Sequence, residues 1–183
     1  PEAVLEQLYR YTPLEDSFSI NNVALVNGGP QTMGLREMLT VYVEHRKQVV
    51  QRRSQHRLTK RQERLHLVDG LLIAIMDIDE VIQLIRQSDD TEQARARLMD
   101  VFELSVPQAD YILELRLRRL TKFSRVELEA EADALRKEIS ELETILASEK
   151  KLIDEVVKEL SEVSKNLGTP RRTVLSTSRS EEH

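Results

Sequence analysis

The sequence contains no cysteine and no tryptophan, and aromatic residues make up only 4% of it. Without cysteine, the chain can form neither a disulfide framework nor a metal site built from thiolates. The scarcity of aromatic side chains predicts a small core of aliphatic residues. The longest unbroken apolar run, residues 71–76, is far shorter than the roughly 20 residues that a membrane-spanning helix needs. The sequence therefore indicates neither a disulfide-rich scaffold nor a membrane protein.

The charged residues, 32% of the chain, are distributed unevenly. Residues 46–64 carry eight Lys or Arg against one acid, whereas residues 126–147 carry seven Asp or Glu against two basic residues. Neither segment contains Gly or Pro, so both are predicted to be helical. Because opposite charges beside an apolar stripe set register and direction, we expect these helices to pair antiparallel. A basic stripe can also contact nucleic-acid phosphates, although the net charge of −5 gives no overall sign of it.

Apolar residues recur at alternating steps of four and three in the C-terminal part. They are Leu128, Ala132, Leu135, Ile139, Leu142, Leu146, Ile153, Val156, Leu160, Val163 and Leu167. This period of 3.5 predicts helices that bury one narrow stripe against another helix. Ser148 is expected to recap or kink this segment. A long two-helix arm is suited to holding, spacing or gating rather than to chemistry.

Turn and capping signals predict the remaining elements. Helices are predicted at residues 2–11, 35 to about 88, 91–102, 107–120 and 124–168, the fourth opened by a capping box at Ser105 and the last by one at Ser124. Strands are predicted at residues 17–26, 31–33 and 171–175, and residues 176–183 are expected to be disordered. The predicted fold class is mainly α: a long antiparallel coiled-coil arm carries a small helical knob, and a β-hairpin lies near the base.

The knob, residues 65–123, holds more apolar residues than one small core can bury. A subset is therefore a candidate two-fold interface with a second copy of the chain. The candidates are Ile82, Ile85, Ala109, Ile112, Leu113, Leu115 and Leu117. The alternative is that these residues pack on one another inside the knob.

No pattern of catalytic, cofactor-binding or metal-ligating residues is found. His45, His56 and His66 are spaced too widely for a pair of ligands on one helical turn. The Gly-rich segment at residues 27–30 lacks the Lys and the Ser or Thr of a phosphate-binding loop. The acids at residues 77–80 are typical of a solvated helix end.

Several segments, in order along the chain, together resemble one family. They are Leu5–Tyr9 with Leu14, Ser17–Phe18, Ile20–Leu25, Val43–Arg46 with Val49–Val50 and Arg52–Arg53, Arg64–Leu67, Ile78–Asp79 with Ile82 and Leu84–Arg86, Gln108–Ala109 with Ile112–Leu113, Leu115–Thr121 and Arg171–Thr173. This set resembles the A subunit of bacterial type IIA DNA topoisomerases, the family of DNA gyrase and topoisomerase IV. Ser19 and Lys122 stand where the family often has glycine.

The resemblance implies five parts. They are the C-terminal end of the tower domain (1–34), an outbound coiled-coil helix (35–64), the knob that forms the exit gate (65–123), the return helices (124–168), and a short strand with a disordered tail (169–183). It implies a homodimer through the knob, which holds the subunits together and lets the transported duplex leave. Since the chain begins at Pro1 rather than Met, we expect it to be a piece of a longer protein.

The resemblance also implies what the complete protein does. It would be an ATP-dependent topoisomerase, an isomerase, which requires Mg²⁺ and ATP and acts on DNA with a B subunit in the bacterial cytoplasm, at the nucleoid. The family's nucleophilic tyrosine lies upstream of this stretch. Arg10-Tyr11-Thr12 repeats the sequence around that nucleophile, but its flanks match the tower. We therefore expect this segment alone to be inactive and to bind no cofactor.

Two alternatives come from other functional classes. The chain could be a nucleic-acid-binding coiled coil that uses Arg52, Arg53 and Arg57. It could also be a structural coiled-coil scaffold that associates between chains along Leu135 and Ile139.

Overall fold

The structure, a computed structural model, describes residues 2–115 and 125–173. This part is mainly helical with one small hairpin, which confirms the predicted fold class. The elements are α1 (Glu2–Tyr11), β1 (Val23–Val26), β2 (Gly29–Thr32), α2 (Leu35–Met76), α3 (Ile78–Arg86), α4 (Thr91–Phe102), α5 (Val106–Glu114), α6 (Arg125–Ala147) and α7 (Glu149–Leu167). The chain divides into two compact units, one up to Arg46 and one from Lys47.

The first unit contains α1 and the hairpin. The antiparallel strands pair Val26 with Gly29, so the turn has only two central residues, Asn27 and Gly28. Both have positive φ, 52° and 85°, as the two-residue turn that favours Asn-Gly requires. The hairpin was predicted correctly, but the bounds of its strands differ. Strand β1 is shorter than the predicted residues 17–26, and strand β2 starts at Gly29 rather than at residue 31. The tight turn leaves Gly29 and Pro30 free to pair with β1.

Helix α2 has 42 residues and is about 63 Å long at 1.5 Å per residue. It begins at Leu35 as predicted, but it ends at Met76 rather than near residue 88. Asp77 leaves the helical conformation (φ −135°, ψ 53°) and its carbonyl accepts the amide of Val81, which starts α3. The sequence hides this break because no Gly or Pro marks it.

Helices α4 and α5 form in the knob from local signals. Helix α4 has the predicted bounds, and the Asp90 side chain caps it by accepting the amide of Gln93 at 2.7 Å. The capping box of Ser105 and Gln108 starts α5 as predicted. This helix ends at Glu114 rather than at residue 120, because Leu115 is extended (φ −70°, ψ 129°). The second predicted capping residue, Ser124, lies outside the described residues.

The predicted interruption at Ser148 is confirmed. Its backbone is extended (φ −131°, ψ 119°) between α6 and α7, and the helical phase changes there. In α7 the buried side chains are Leu152 and Val156. Burial of Ile153, Val163 and Leu167 was predicted wrongly, since all three are exposed.

Helix α7 ends before Gly168, as predicted, and the Gly168 amide donates to the carbonyl of Ser164 at 2.8 Å. Residues 171–173 form no strand, which corrects the prediction for the described part of residues 171–175. The predicted disordered tail, residues 176–183, lies outside the described residues.

Gly70 of α2 lies directly against the Gln108 side chain of α5, and this contact gives a first prediction. A methyl group there would lie 2.8 Å from Cγ and 2.9 Å from Cβ of Gln108. In an open helix Gly→Ala stabilises by about 1 kcal/mol. Here we expect Gly70→Ala to lower the free energy of unfolding by about 1–3 kcal/mol through overpacking, measured by urea unfolding followed by circular dichroism.

The control for this prediction removes the obstruction. In a Gln108→Gly background, Gly70→Ala should be neutral or stabilising, because residue 108 then has no side-chain atom for the new methyl group to meet. A Gly70→Ala variant that is more stable than the wild type would contradict the close contact.

Candidate functional site: the helix pair and the knob

The basic stretch of α2 pairs with the acidic stretch of α6. Arg61 donates a hydrogen bond to Glu138, and Arg64 donates two to the carboxylate of Glu131, at 2.8 Å and 3.2 Å. The later residue on α2 thus pairs with the earlier residue on α6, as in an antiparallel pair. Of the predicted pairing of residues 46–64 with 126–147, these contacts confirm the part nearest the knob, residues 61–64 with residues 131–138.

Helix α7 also pairs with α2, but in the opposite order. Lys47 donates to Glu149 at 2.8 Å, and Arg53 forms an ion pair with Glu159. Here the later residue on α2 pairs with the later residue on α7. Helix α7 therefore does not continue the antiparallel course of α6, and the chain changes direction at Ser148. The hydrogen bond from Lys47 lowers the pKa of Glu149 below its ordinary value.

The knob has a hydrophobic core to which all the helices from α2 to α6 contribute. We call it the knob cluster. Its buried members are Val68, Leu71, Ala74, Val81, Leu98, Leu104, Ala109, Ile112, Leu128, Ala132 and Leu135. The cluster extends into the helix pair, because its last three members belong to α6.

The predicted seam of α6 is only partly buried. Leu128, Ala132 and Leu135 are buried in the knob cluster. Ile139, Leu142 and Leu146 are half-buried. Burial of the seam residues therefore declines away from the knob.

The candidate interface residues divide into three groups. Ala109 and Ile112 are buried within the chain, so their side chains have no surface to offer a partner. Four candidates are half-buried and keep part of their surface: Ile82, Ile85, Leu113 and Leu115. Of these, Ile85, Leu113 and Leu115 pack against the knob cluster. Leu117 lies outside the described residues.

Among the described residues of the knob, four further large apolar side chains are exposed. Sequence analysis did not single them out. Ile73 and Met76 lie near the end of α2, Val101 in the last turn of α4, and Val106 at the start of α5. Met76 is the most exposed of them, at 71%. These side chains add apolar surface to that of the half-buried candidates.

Arg64 ties three helices together where the helix pair meets the knob. Besides its two hydrogen bonds to Glu131 of α6, it donates to the phenol oxygen of Tyr111 in α5 at 3.1 Å. The hydrogen bond with Glu131 raises the pKa of Arg64 above its usual range, and burial opposes it only partly. The guanidinium is therefore always charged, and its planar fork fixes the two partners.

A second polar contact joins α2 and α5 beside Arg64. The buried Gln108 side chain donates to the carbonyl oxygen of His66 at 2.7 Å and accepts the amide of Ser105 at 2.9 Å. The His66 ring nitrogen Nε2 lies 2.6 Å from the Ser105 hydroxyl. Gly70, one turn along α2, leaves the space that Gln108 occupies.

Sequence analysis missed these junction residues. Arg64 was used only as one charge in a basic run and as part of a segment of the family resemblance, and Tyr111 was not considered. The capping box identified Gln108, but not that the same side chain reaches across to α2. A glycine inside an otherwise uninterrupted helix was the one available signal of a close approach.

Two kinds of site were looked for among the described residues: groups of metal ligands and membrane-spanning helices. In residues 2–115 and 125–173, no group of three or more His, Asp or Glu could hold a metal ion. Within the same ranges, no helix is long and apolar enough to span a membrane. Tyr11 is the last residue of α1 and is exposed.

Comparison with known proteins gives a consistent result. A family model for the A subunit of DNA gyrase and topoisomerase IV matches residues 1–161. The DNA gyrase A subunit of Staphylococcus aureus strain Mu50 is 48% identical over 170 residues, which are 93% of this chain and 19% of the relative. The values for strain NCTC 8325 are the same, and the protein of strain MRSA252 is 47% identical with equal coverage. The chain thus spans about a fifth of the length of these curated relatives.

The Arg64–Glu131 contact gives a second prediction. In a double-mutant cycle of Arg64→Met and Glu131→Gln, we expect a coupling energy of about 0.5–1 kcal/mol, because the pair is bidentate and only partly exposed. The free energies of unfolding would come from urea titrations. The matched control is Lys60–Glu63, an exposed pair on the same helix. Its cycle should give roughly 0.3 kcal/mol or less, and equal coupling in both cycles would contradict the assigned role of Arg64.

Proposed function

The chain belongs to the family of the DNA gyrase and topoisomerase IV A subunits, and from this premise we propose that it forms the exit gate of a type IIA DNA topoisomerase. In this proposal, residues 1–34 end the tower domain, and residues 35–64 and 124–168 form the coiled-coil arm. Residues 65–123 form the gate, and residues 169–183 lead out of the region. The gate dimerises, holds the subunits together and opens to release the transported duplex.

The observation that carries the proposal is the antiparallel pairing of α2 with α6. Three ion pairs, Arg61–Glu138, Arg64–Glu131 and Asp69–Arg136, join the helices together with a buried apolar stripe, and the knob cluster is built where they meet α3–α5. This arrangement holds a compact helical body on paired helices. Such a part can transmit movement, and none of its described side chains forms a catalytic constellation.

The apolar surface of the knob supports self-association. The exposed Ile73, Met76, Val101 and Val106 accompany half-buried isoleucines and leucines in the same unit. A standard protein interface buries about 800 Å² per partner, and association costs reduce the net free energy. An interface of this size keeps a gate closed by default and still allows it to open.

The proposal assigns the chemistry to other parts of the complete protein. The nucleophilic tyrosine, Mg²⁺ and ATP act elsewhere in the enzyme with the B subunit, so this segment alone would be inactive. The parent enzyme would work on DNA in the bacterial cytoplasm, at the nucleoid. Tyr11 takes no part in strand cleavage in this proposal.

The scaffold alternative is weakened by burial. Association between chains along the seam would need an exposed stripe on α6, but Leu128, Ala132 and Leu135 are buried within one chain. The stripe is already occupied by the chain's own helices. The proposal therefore locates the contact between copies at the knob.

The dimer gives a third prediction. We expect the 183-residue chain to sediment as a dimer at micromolar concentration. Met76→Glu should weaken the dimer by about tenfold or more, since burying an unpaired carboxylate at an interface costs at least about 1.4 kcal/mol. Leu113→Glu, at a half-buried position, should have the same effect with helicity largely retained.

The matched control is Val157→Glu. Val157 is 55% exposed on α7, away from the knob cluster, so this variant should dimerise like the wild type. Circular dichroism would identify a variant that fails to fold. A wild-type chain that sediments only as a monomer would contradict the proposal.

DNA binding gives a fourth prediction that separates the gate from the nucleic-acid alternative. At least five of the eight basic residues in 46–64 pair with acids: Lys47, Arg53, Lys60, Arg61 and Arg64. We therefore expect gel-shift assays at about 150 mM salt to show no stable duplex complex. Tight binding that is lost in Arg52→Gln/Arg57→Gln, with a steep salt dependence, would favour the alternative.

A further inference from the structure

In the described residues of the second unit, the buried apolar side chains form two separate hydrophobic clusters. The knob cluster includes α2 from Val68 onward and α6 up to Leu135. The second, which we call the α7 cluster, consists of the buried Val50, Leu152 and Val156 with the half-buried Ile145 and Leu160. No buried residue belongs to both clusters, so the two cores are not continuous along the helices.

The stretch between the clusters is thinly packed on both sides. On α2, none of residues 59–67 is buried. On the returning chain, none of residues 136–151 is buried. Leu58 is the one large apolar side chain of α2 buried between Val50 and Val68, and it belongs to neither cluster. Ile139 and Leu142 are only half-buried.

An ion pair spans this stretch where apolar packing is thin. Arg61 and Glu138 connect α2 with α6, and each side chain is 48% exposed. Ion pairs at this exposure contribute little to stability and are screened by salt. Local stability follows the density of buried apolar contacts, so this stretch is the weakest part of the helix pair.

Packing increases abruptly on the knob side. Arg64 ties α2 to both α5 and α6, and Gln108 ties α5 to the backbone of His66. From there onward the knob cluster holds the helices together. The change from thin to dense packing therefore occurs within about one turn of α2.

We propose that the helix pair bends at this stretch, which we call the middle segment. It consists of residues 55–63 of α2, of which only Leu58 is buried, opposite residues 136–144 of α6, none of which is buried. The knob and the adjoining ends of α2 and α6 move as one rigid body about it. The bending itself follows from the packing, whereas its use in opening a gate rests on the proposed function.

Hydrogen–deuterium exchange of the complete 183-residue chain, resolved by mass spectrometry, tests the proposal. The amides of residues 55–63 should exchange at least about tenfold faster than those of residues 66–76, although both lie inside the same helix. Residues 47–53, beside the α7 cluster, should exchange more slowly than the middle segment. Uniform protection along α2, or protection that falls steadily toward residue 47, would overturn the proposal.

A pair of variants tests the cause. Arg61→Leu/Glu138→Leu replaces the ion pair with an apolar contact that extends packing between the clusters. It should slow exchange in residues 55–63 by about tenfold and leave residues 66–76 unchanged. The matched control, Lys60→Gln/Glu63→Gln, removes an exposed pair within α2 and should change neither. Equal effects of the two double variants would overturn the packing explanation.

The outcome is independent of the gate assignment. Exchange in the middle segment reports on packing within one chain, whereas sedimentation reports on self-association. A monomeric chain with a fast-exchanging middle segment would contradict the gate and support the bend. A stable dimer with uniform exchange would contradict the bend and leave the gate in place.

Discussion

The structure of the second unit depends on the pairing of α2 with α6. Neither stretch would form a stable helix by itself. The basic part of α2 has few large apolar residues, and α6 has only a narrow apolar stripe. Pairing buries Leu128, Ala132 and Leu135 and matches Arg61 and Arg64 with acids. The apolar contact supplies most of the stabilisation, and the charges fix direction and register.

The junction between the pair and the knob is specified by polar groups as well as by packing. Gln108 is buried, caps its own helix and reaches the backbone of α2, and Gly70 makes room for it. Arg64 of α2 connects to α5 and α6 through charge-assisted hydrogen bonds. Buried polar groups that are fully bonded allow few alternative arrangements. The knob is therefore fixed in orientation on its helices.

These features suit a mechanical role within the family of DNA gyrase and topoisomerase IV A subunits. In the proposed gate, the exposed apolar side chains of the knob would form the surface for association, and the paired helices would carry it. The packing gap between the two clusters is the proposed place of bending, where movement would unfold neither core. In this proposal, movement and association are separated along the chain.

Much of the secondary structure could be predicted from the sequence, because local signals dominate it. Asn27–Gly28 determined the turn, Ser105 and Gln108 started α5, and charge segregation identified α2 and α6 as partners. The family resemblance could also be identified from the sequence, in short segments that follow one another in the family's order. The break at Asp77, the early end of α5 and the changed phase of α7 were not predictable, because no Gly or Pro marks them.

The sequence by itself determined which segments are helical and which two carry opposite charge, since periodicity and charge are properties of the chain. Only the tertiary structure decided which apolar residues are core and which are surface. Ala109 and Ile112 are buried, whereas Met76 is exposed, although all three lie in apolar helical segments. Burial depends on neighbours from distant parts of the chain. When a helix has apolar residues on several faces, its own sequence does not determine which face those neighbours will cover.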